Sequence, residues 1–107
     1  MTRKIDLSAG DLAILRTVLD VYLPPGATVW IFGSRATGRA RQYSDVDLAL
    51  EDEGPLNLDL LGRLKDALSE SDLTIKVDLV DLQAVDPAFR QIIESQMVPL
   101  RLSAASG

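Results

Sequence analysis

The sequence predicts an α/β (α+β) fold in which three short strands and a fourth edge segment form one sheet covered by helices on at least one face. Three observations predict it. Leucines recur at helical spacing over 8–22 and again over 57–69. Short runs rich in β-formers, bounded by turn residues, fall at 28–32, 45–50 and 76–82. The two kinds of segment follow one another as α-β-loop-β-α-β-α. The 107 residues suit one domain over 1–102, with SAASG at 103–107 read as a disordered tail.

The first helix carries Leu12, Leu15, Leu19 and Tyr22 on one stripe, and Ser8 with Asp11 resembles a capping box. LPPGA stops it. TVWIF at 28–32 reads as a buried strand, with Trp30 and Phe32 in the core. Residues 33–44 are polar and irregular, with room for a short helical turn. The second strand runs from 45 to 50 and EDEGP is a loop. The helix over 57–69 has Leu60, Leu61, Leu64 and Leu68 on one stripe, which packs internally or meets a partner. The third strand, 76–82, is apolar on both faces. Asp86 is a good N-cap and Pro87 a good first residue for a helix to about 95. MVPLRL adds a short edge segment. Strand directions are not readable from these patterns.

Composition narrows the chemistry. Cysteine and histidine are absent, which excludes disulfides, Cys-based zinc sites and Ser-His or Cys-His dyads. Catalysis must rest on carboxylates, hydroxyls, Lys, Arg or a bound metal. The net charge of −5 argues against a general nucleic-acid binder, which is normally basic. There is no apolar run of membrane length and no signal-peptide core at the N-terminus. A small cytoplasmic protein is expected.

The chemistry-bearing residues cluster in IFGSRATGRARQYSDVDLAL, residues 31–50. Gly33 and Ser34 follow a hydrophobic strand directly. Read alone they are an ordinary turn, but glycine permits close backbone approach, and serine with backbone N–H groups can hold phosphate oxygens. No Gly-Lys-Ser/Thr follows, so this is not a Walker loop. Asp45 and Asp47, two apart on a strand, share one face. Their repulsion calls for an arginine or a divalent cation. Asp78 lies inside an apolar run, and if its strand pairs beside the second one, three carboxylates gather within about 7 Å. Such a set suits two metal ions serving in-line phosphoryl transfer. Asp81 has the opposite parity and reads as a turn or capping residue. Arg35 suits a phosphate through its planar fork, while Arg39 and Arg41 read as surface. Tyr43 either packs under the loop or stacks on a nucleotide base.

Taken together, Gly33-Ser34, three residues, Gly38, five residues, then Ser44-Asp45-Val46-Asp47-Leu48 resembles the signature of the DNA polymerase β-like nucleotidyltransferase superfamily. Length and spacing look most like its minimal branch, the MNT-domain proteins, commonly antitoxins of HEPN/MNT toxin–antitoxin pairs. The signature spans 33–48, Asp78 extends it, and the element order over 8–95 is compatible.

The resemblance implies a small mixed sheet of three to four strands flanked by helices. It implies that Gly33, Ser34, Arg35 and Ser44 bind the nucleotide. It implies that Asp45, Asp47 and Asp78 hold Mg2+, two ions being expected, and that Asp78 helps activate the attacking hydroxyl. The implied reaction moves AMP from ATP to a hydroxyl, a tyrosine of a cognate HEPN-family toxin. The alternative is a non-catalytic antitoxin or a nucleotide-binding regulatory module that acts by contact.

Overall fold

The computed structural model describes residues 5–41 and 44–100. The tail at 103–107 and Tyr43 lie outside the described residues.

Helix α1 (Ala9–Tyr22) begins where Ser8 Oγ accepts the Asp11 N–H at 3.1 Å. The expected capping box is only half made. The Asp11 carboxylate turns away and accepts from the Thr74 N–H (3.1 Å) and hydroxyl (2.6 Å), which ties α1 to the loop before the third strand. Strand β1 (Thr28–Phe32) leads through Gly33 into α2 (Ser34–Thr37), the short helical turn for which the irregular segment had room. Strand β2 (Val46–Glu51) is followed by α3 (Leu58–Glu70), capped by Asn57, whose side chain accepts from Asp59 N–H and Leu60 N–H. Then come β3 (Val77–Asp81) and α4 (Pro87–Gln96), capped by Asp86. The expected edge segment is β4 (Val98–Pro99).

The sheet order is β3-β2-β1-β4. Strand β1 runs antiparallel to β2 and β4, and β2 runs parallel to β3, so the sheet is mixed. A parallel pair needs a long crossover, and α3 supplies it. Alternation along β2 then sorts the layers. Val46, Leu48 and Leu50 are fully buried in one cluster with Leu15 and Leu19 of α1 and Leu64 and Leu68 of α3. On the other face Phe32 and Ala49 pack with Leu82, just after β3, and with Ile93 of α4. The α3 stripe therefore packs internally at Leu64 and Leu68, while Leu58, the helix's first residue and outside the stripe, is 84% exposed.

Helix α4 is fixed over its face by Arg90, which donates to the Leu82 carbonyl at 2.7 Å and the Glu51 carboxylate at 2.6 Å. Buried Asp81 accepts from Leu56 N–H (2.7 Å) and Gln83 N–H (2.9 Å), the turn role expected of it. No helix among the described residues is long and apolar enough to cross a membrane.

Candidate active site

The strand register builds the site. Phe32 pairs with Asp47, and Asp47 pairs with Asp78. In-register neighbours share a face, so the three form one row across β1, β2 and β3. Asp47 alternates with buried Val46 and Leu48 and lies on the Ala49 face, which α4 covers farther along. Asp45 precedes β2 by one residue, has the same parity as Asp47, and is exposed. The strand neighbourhood expected of Asp78 is thus the one observed.

Asp47 is half-buried, whereas Asp78 is exposed. Burial pushes the Asp47 carboxyl above its usual range, and the charges of Asp78 and then Asp45 push it further the same way. Among the described residues, each of the influences on it opposes ionisation. The expected offset by an arginine is therefore not supplied by Arg35.

Gly33 has φ +76, a backbone region that disfavours side chains. A Cβ there would collide with Asp47 Oδ2. The glycine is needed twice over, for its dihedral and to let the carboxylate lie against its backbone. Its N–H donates to Gln96 Oε1 at 3.1 Å, and its carbonyl accepts from Ala36 N–H, Thr37 N–H and the Thr37 hydroxyl. Gln96, at the end of α4, is thus a support of the Gly33–Ser34 turn that no local pattern announces, because the contact joins residues 63 apart. Gly38 ends α2 with φ +78 and donates its N–H to the Ser34 carbonyl.

Arg35, expected at a phosphate, has its guanidinium among backbone carbonyls. It is 7% exposed. Its Nε donates to the Ser44 carbonyl (3.0 Å), one terminal nitrogen to the Asp6 carbonyl (2.9 Å) and the other to the Arg41 carbonyl (3.4 Å). The Asp6 N–H returns to the Arg35 carbonyl at 3.0 Å. A five-donor fork can bind several carbonyls at once, and here it holds the loop ahead of Asp45. Ser44 serves the same loop, since its Oγ accepts the Arg41 N–H at 2.8 Å. Arg39 and Arg41 are exposed, as expected.

Among the described residues, no three carboxylates converge tightly enough to form a closed metal cage. The donor set nevertheless fits a hard cation. Asp47 is a half-buried carboxylate repelled by two others, and magnesium takes one or two carboxylates with waters and substrate phosphates completing the shell. An open set of this kind suits a metal that arrives with nucleotide.

The chain matches the family described as Polymerase beta, Nucleotidyltransferase over residues 24–100, a span that includes every strand and the Gly33, Asp45, Asp47 and Asp78 positions. It belongs to that family. This nucleotidyltransferase is also 45% identical over 98 residues to a Haemophilus influenzae protein named "Probable protein adenylyltransferase MntA", covering 92% of this chain and 85% of that one. A crystal structure described as a toxin–antitoxin with AMP-PNP matches with a TM-score of 0.72 at 25% identity, over 89% of this chain and 76% of the other. The fold is shared as well by a chain from a complex of tri-AMPylated Shewanella oneidensis HEPN toxin with MNT antitoxin, with a TM-score of 0.65 at 24% identity, over 90% and 73% of the two chains.

Two outcomes follow from this geometry. Arg35→Lys replaces a fork by a single point and breaks part-buried bonds to the Ser44, Asp6 and Arg41 carbonyls, so the nucleotide-free protein loses about 2 kcal/mol in urea unfolding. An unchanged unfolding curve would return Arg35 to a ligand role. Asp47→Asn acts in the other direction. A carboxyl whose folded pKa is raised costs stability once ionised, and that cost vanishes as pH falls to the unfolded value near 4. At pH 7 the nucleotide-free variant therefore melts above wild type. The gap closes in melts repeated toward pH 4.

Proposed function

We propose that this nucleotidyltransferase transfers AMP from ATP, with Mg2+, to a tyrosine of a HEPN-family toxin and thereby acts as an antitoxin. The observation that carries the reading is the row Phe32–Asp47–Asp78, whose central carboxylate is repelled by Asp78 across the strands and by Asp45 two residues back, beside a glycine turn, in a chain of this family. The named adenylyltransferase relative and the toxin–antitoxin complexes of the same fold supply the donor and the class of acceptor.

The chain's residues divide the work. Gly33 and Ser34 receive the triphosphate, with the turn kept open by the Asp47–Gly33 approach and braced by Gln96. Asp45, Asp47 and Asp78 hold the cation, which when bound lowers the pKa of the attacking hydroxyl and neutralises charge on the phosphates. The acceptor oxygen forms its bond to the α-phosphorus as the bond to the β-phosphate oxygen breaks, and pyrophosphate leaves. Asp78, exposed on the outer strand, takes up the hydroxyl proton. Arg35 and Ser44 act only by holding the loop in front of Asp45. No step needs a histidine.

The test is label transfer from ATP carrying α-phosphate label, with magnesium and the HEPN-family toxin, against Asp47→Ala. Label on the toxin, lost in the variant, is the expected result. A toxin that is still inhibited while carrying no label would establish neutralisation by contact instead. Mg–ATP at 100 times Kd raises the unfolding free energy by about 2.7 kcal/mol, and Asp47→Ala abolishes most of the rise.

A further inference from the structure

Strand β3 ends the sheet, with β2 on one side and no strand on the other among the described residues. Two bonds fix which of its backbone groups point which way. Val46 N–H donates to the Lys76 carbonyl, and Leu82 N–H donates to the Leu50 carbonyl, both at 2.9 Å. In a parallel ladder alternate residues bond to one neighbour. The even-numbered residues of β3 therefore face β2, and Val77 and Leu79 present their N–H and carbonyl groups outward. The far end of this edge is closed, because the Asp81 carbonyl takes the Ala84 N–H and its carboxylate takes the Leu56 N–H. The open stretch is the one centred on Asp78.

A groove of about 530 Å³ runs along this stretch between β3 and α3. Leu68, Ile75, Val77 and Leu79 give it an apolar lining, and Asp78 stands at its border with the site. Lys65 and Lys76 also line it, two cations together on a chain whose net charge is −5. An open strand edge next to alternating apolar positions is the arrangement that captures an extended peptide by strand addition.

We propose that the open β3 edge is the acceptor-binding strand. An extended segment of the acceptor protein pairs with the outward backbone of Val77 and Leu79, sets acidic residues near Lys65 and Lys76, and places its hydroxyl-bearing residue opposite Asp78. An added strand lies about 4.8 Å away, and a residue directly opposite has its Cβ within about 5.5 Å. The hydroxyl-bearing residue thus takes the next place in the row Phe32–Asp47–Asp78. The inference rests on the reading that the acceptor is a protein. It makes the free edge a determinant of which segment is modified, separate from the residues that hold nucleotide.

Leu79→Pro tests it, since proline removes an outward N–H and leaves the β2 ladder intact. Because Leu79 also packs on the core, Lys65→Glu at an exposed helix position is the companion variant. Transfer from α-labelled ATP to the HEPN-family toxin is measured against toxin concentration. Both variants raise the KM for toxin about tenfold, Leu79→Pro by loss of an outward N–H and Lys65→Glu by reversal of a groove charge, while the melting shift with Mg–ATP stays at the wild-type value. In the wild-type chain, amide exchange at Val77 and Leu79 slows when toxin is added. Wild-type KM in both variants, or unprotected amides in the complex, overturns the edge proposal and leaves the protein acceptor standing. Wild-type protein that labels RNA, or no protein at all, overturns both.

Discussion

The parallel register of β2 and β3 is the constraint on which the site depends. It sets Asp47 beside Asp78, with Asp45 one step along, and the fold must keep them there against their mutual repulsion. The register cannot slip to relieve it. A shift of one residue would turn Val46, Leu48 and Leu50 out of the core that they share with α1 and α3. Burial of those side chains therefore stabilises a set of carboxylates that would be less costly apart. A half-buried carboxylate with two like charges nearby is a standing demand for a cation.

The surroundings serve that arrangement from several directions. Gly33 leaves room for Asp47 where any side chain would strike it. Gln96 at the end of α4 holds the Gly33 N–H, so the helix that covers the Asp47 face takes part in shaping the Gly33–Ser34 turn. Arg35 commits its buried fork to the carbonyls of Asp6, Arg41 and Ser44 and so steadies the chain entering β2. Each support is far in sequence from what it supports or acts through backbone atoms. The site is open in metal terms, and nucleotide phosphates are the natural complement to its donors.

Much of this was legible in the sequence. Leu15, Leu19, Leu64 and Leu68 revealed both long helices because helical spacing reports a buried face. Ser8, Asn57 and Asp86 stand at helix starts where their side chains accept backbone N–H groups. A family pattern joins Gly33, Asp45, Asp47 and Asp78 in the sequence, and the parallel pairing of β2 with β3 sets Asp78 beside Asp47. Arg35 was misread. Beside a glycine-serine turn an arginine looks like a phosphate ligand, and only the fold shows that three carbonyls already surround it. Gln96 was invisible, since a glutamine at a helix end carries no periodic or spacing signal. The strand directions were equally hidden, because alternation is the same in parallel and antiparallel pairs.

The central claim is that the Asp47 carboxylate is held under electrostatic strain that a cation with nucleotide relieves. The most direct measurement is the titration of the Asp47 carboxyl by carbon NMR, alone and with magnesium and a non-hydrolysable ATP analogue. The account predicts a pKa above the ordinary aspartate range in the protein alone, falling below that range when both ligands are present. An ordinary value that neither ligand moves would contradict it, and would mean that the three aspartates are a solvated strand end.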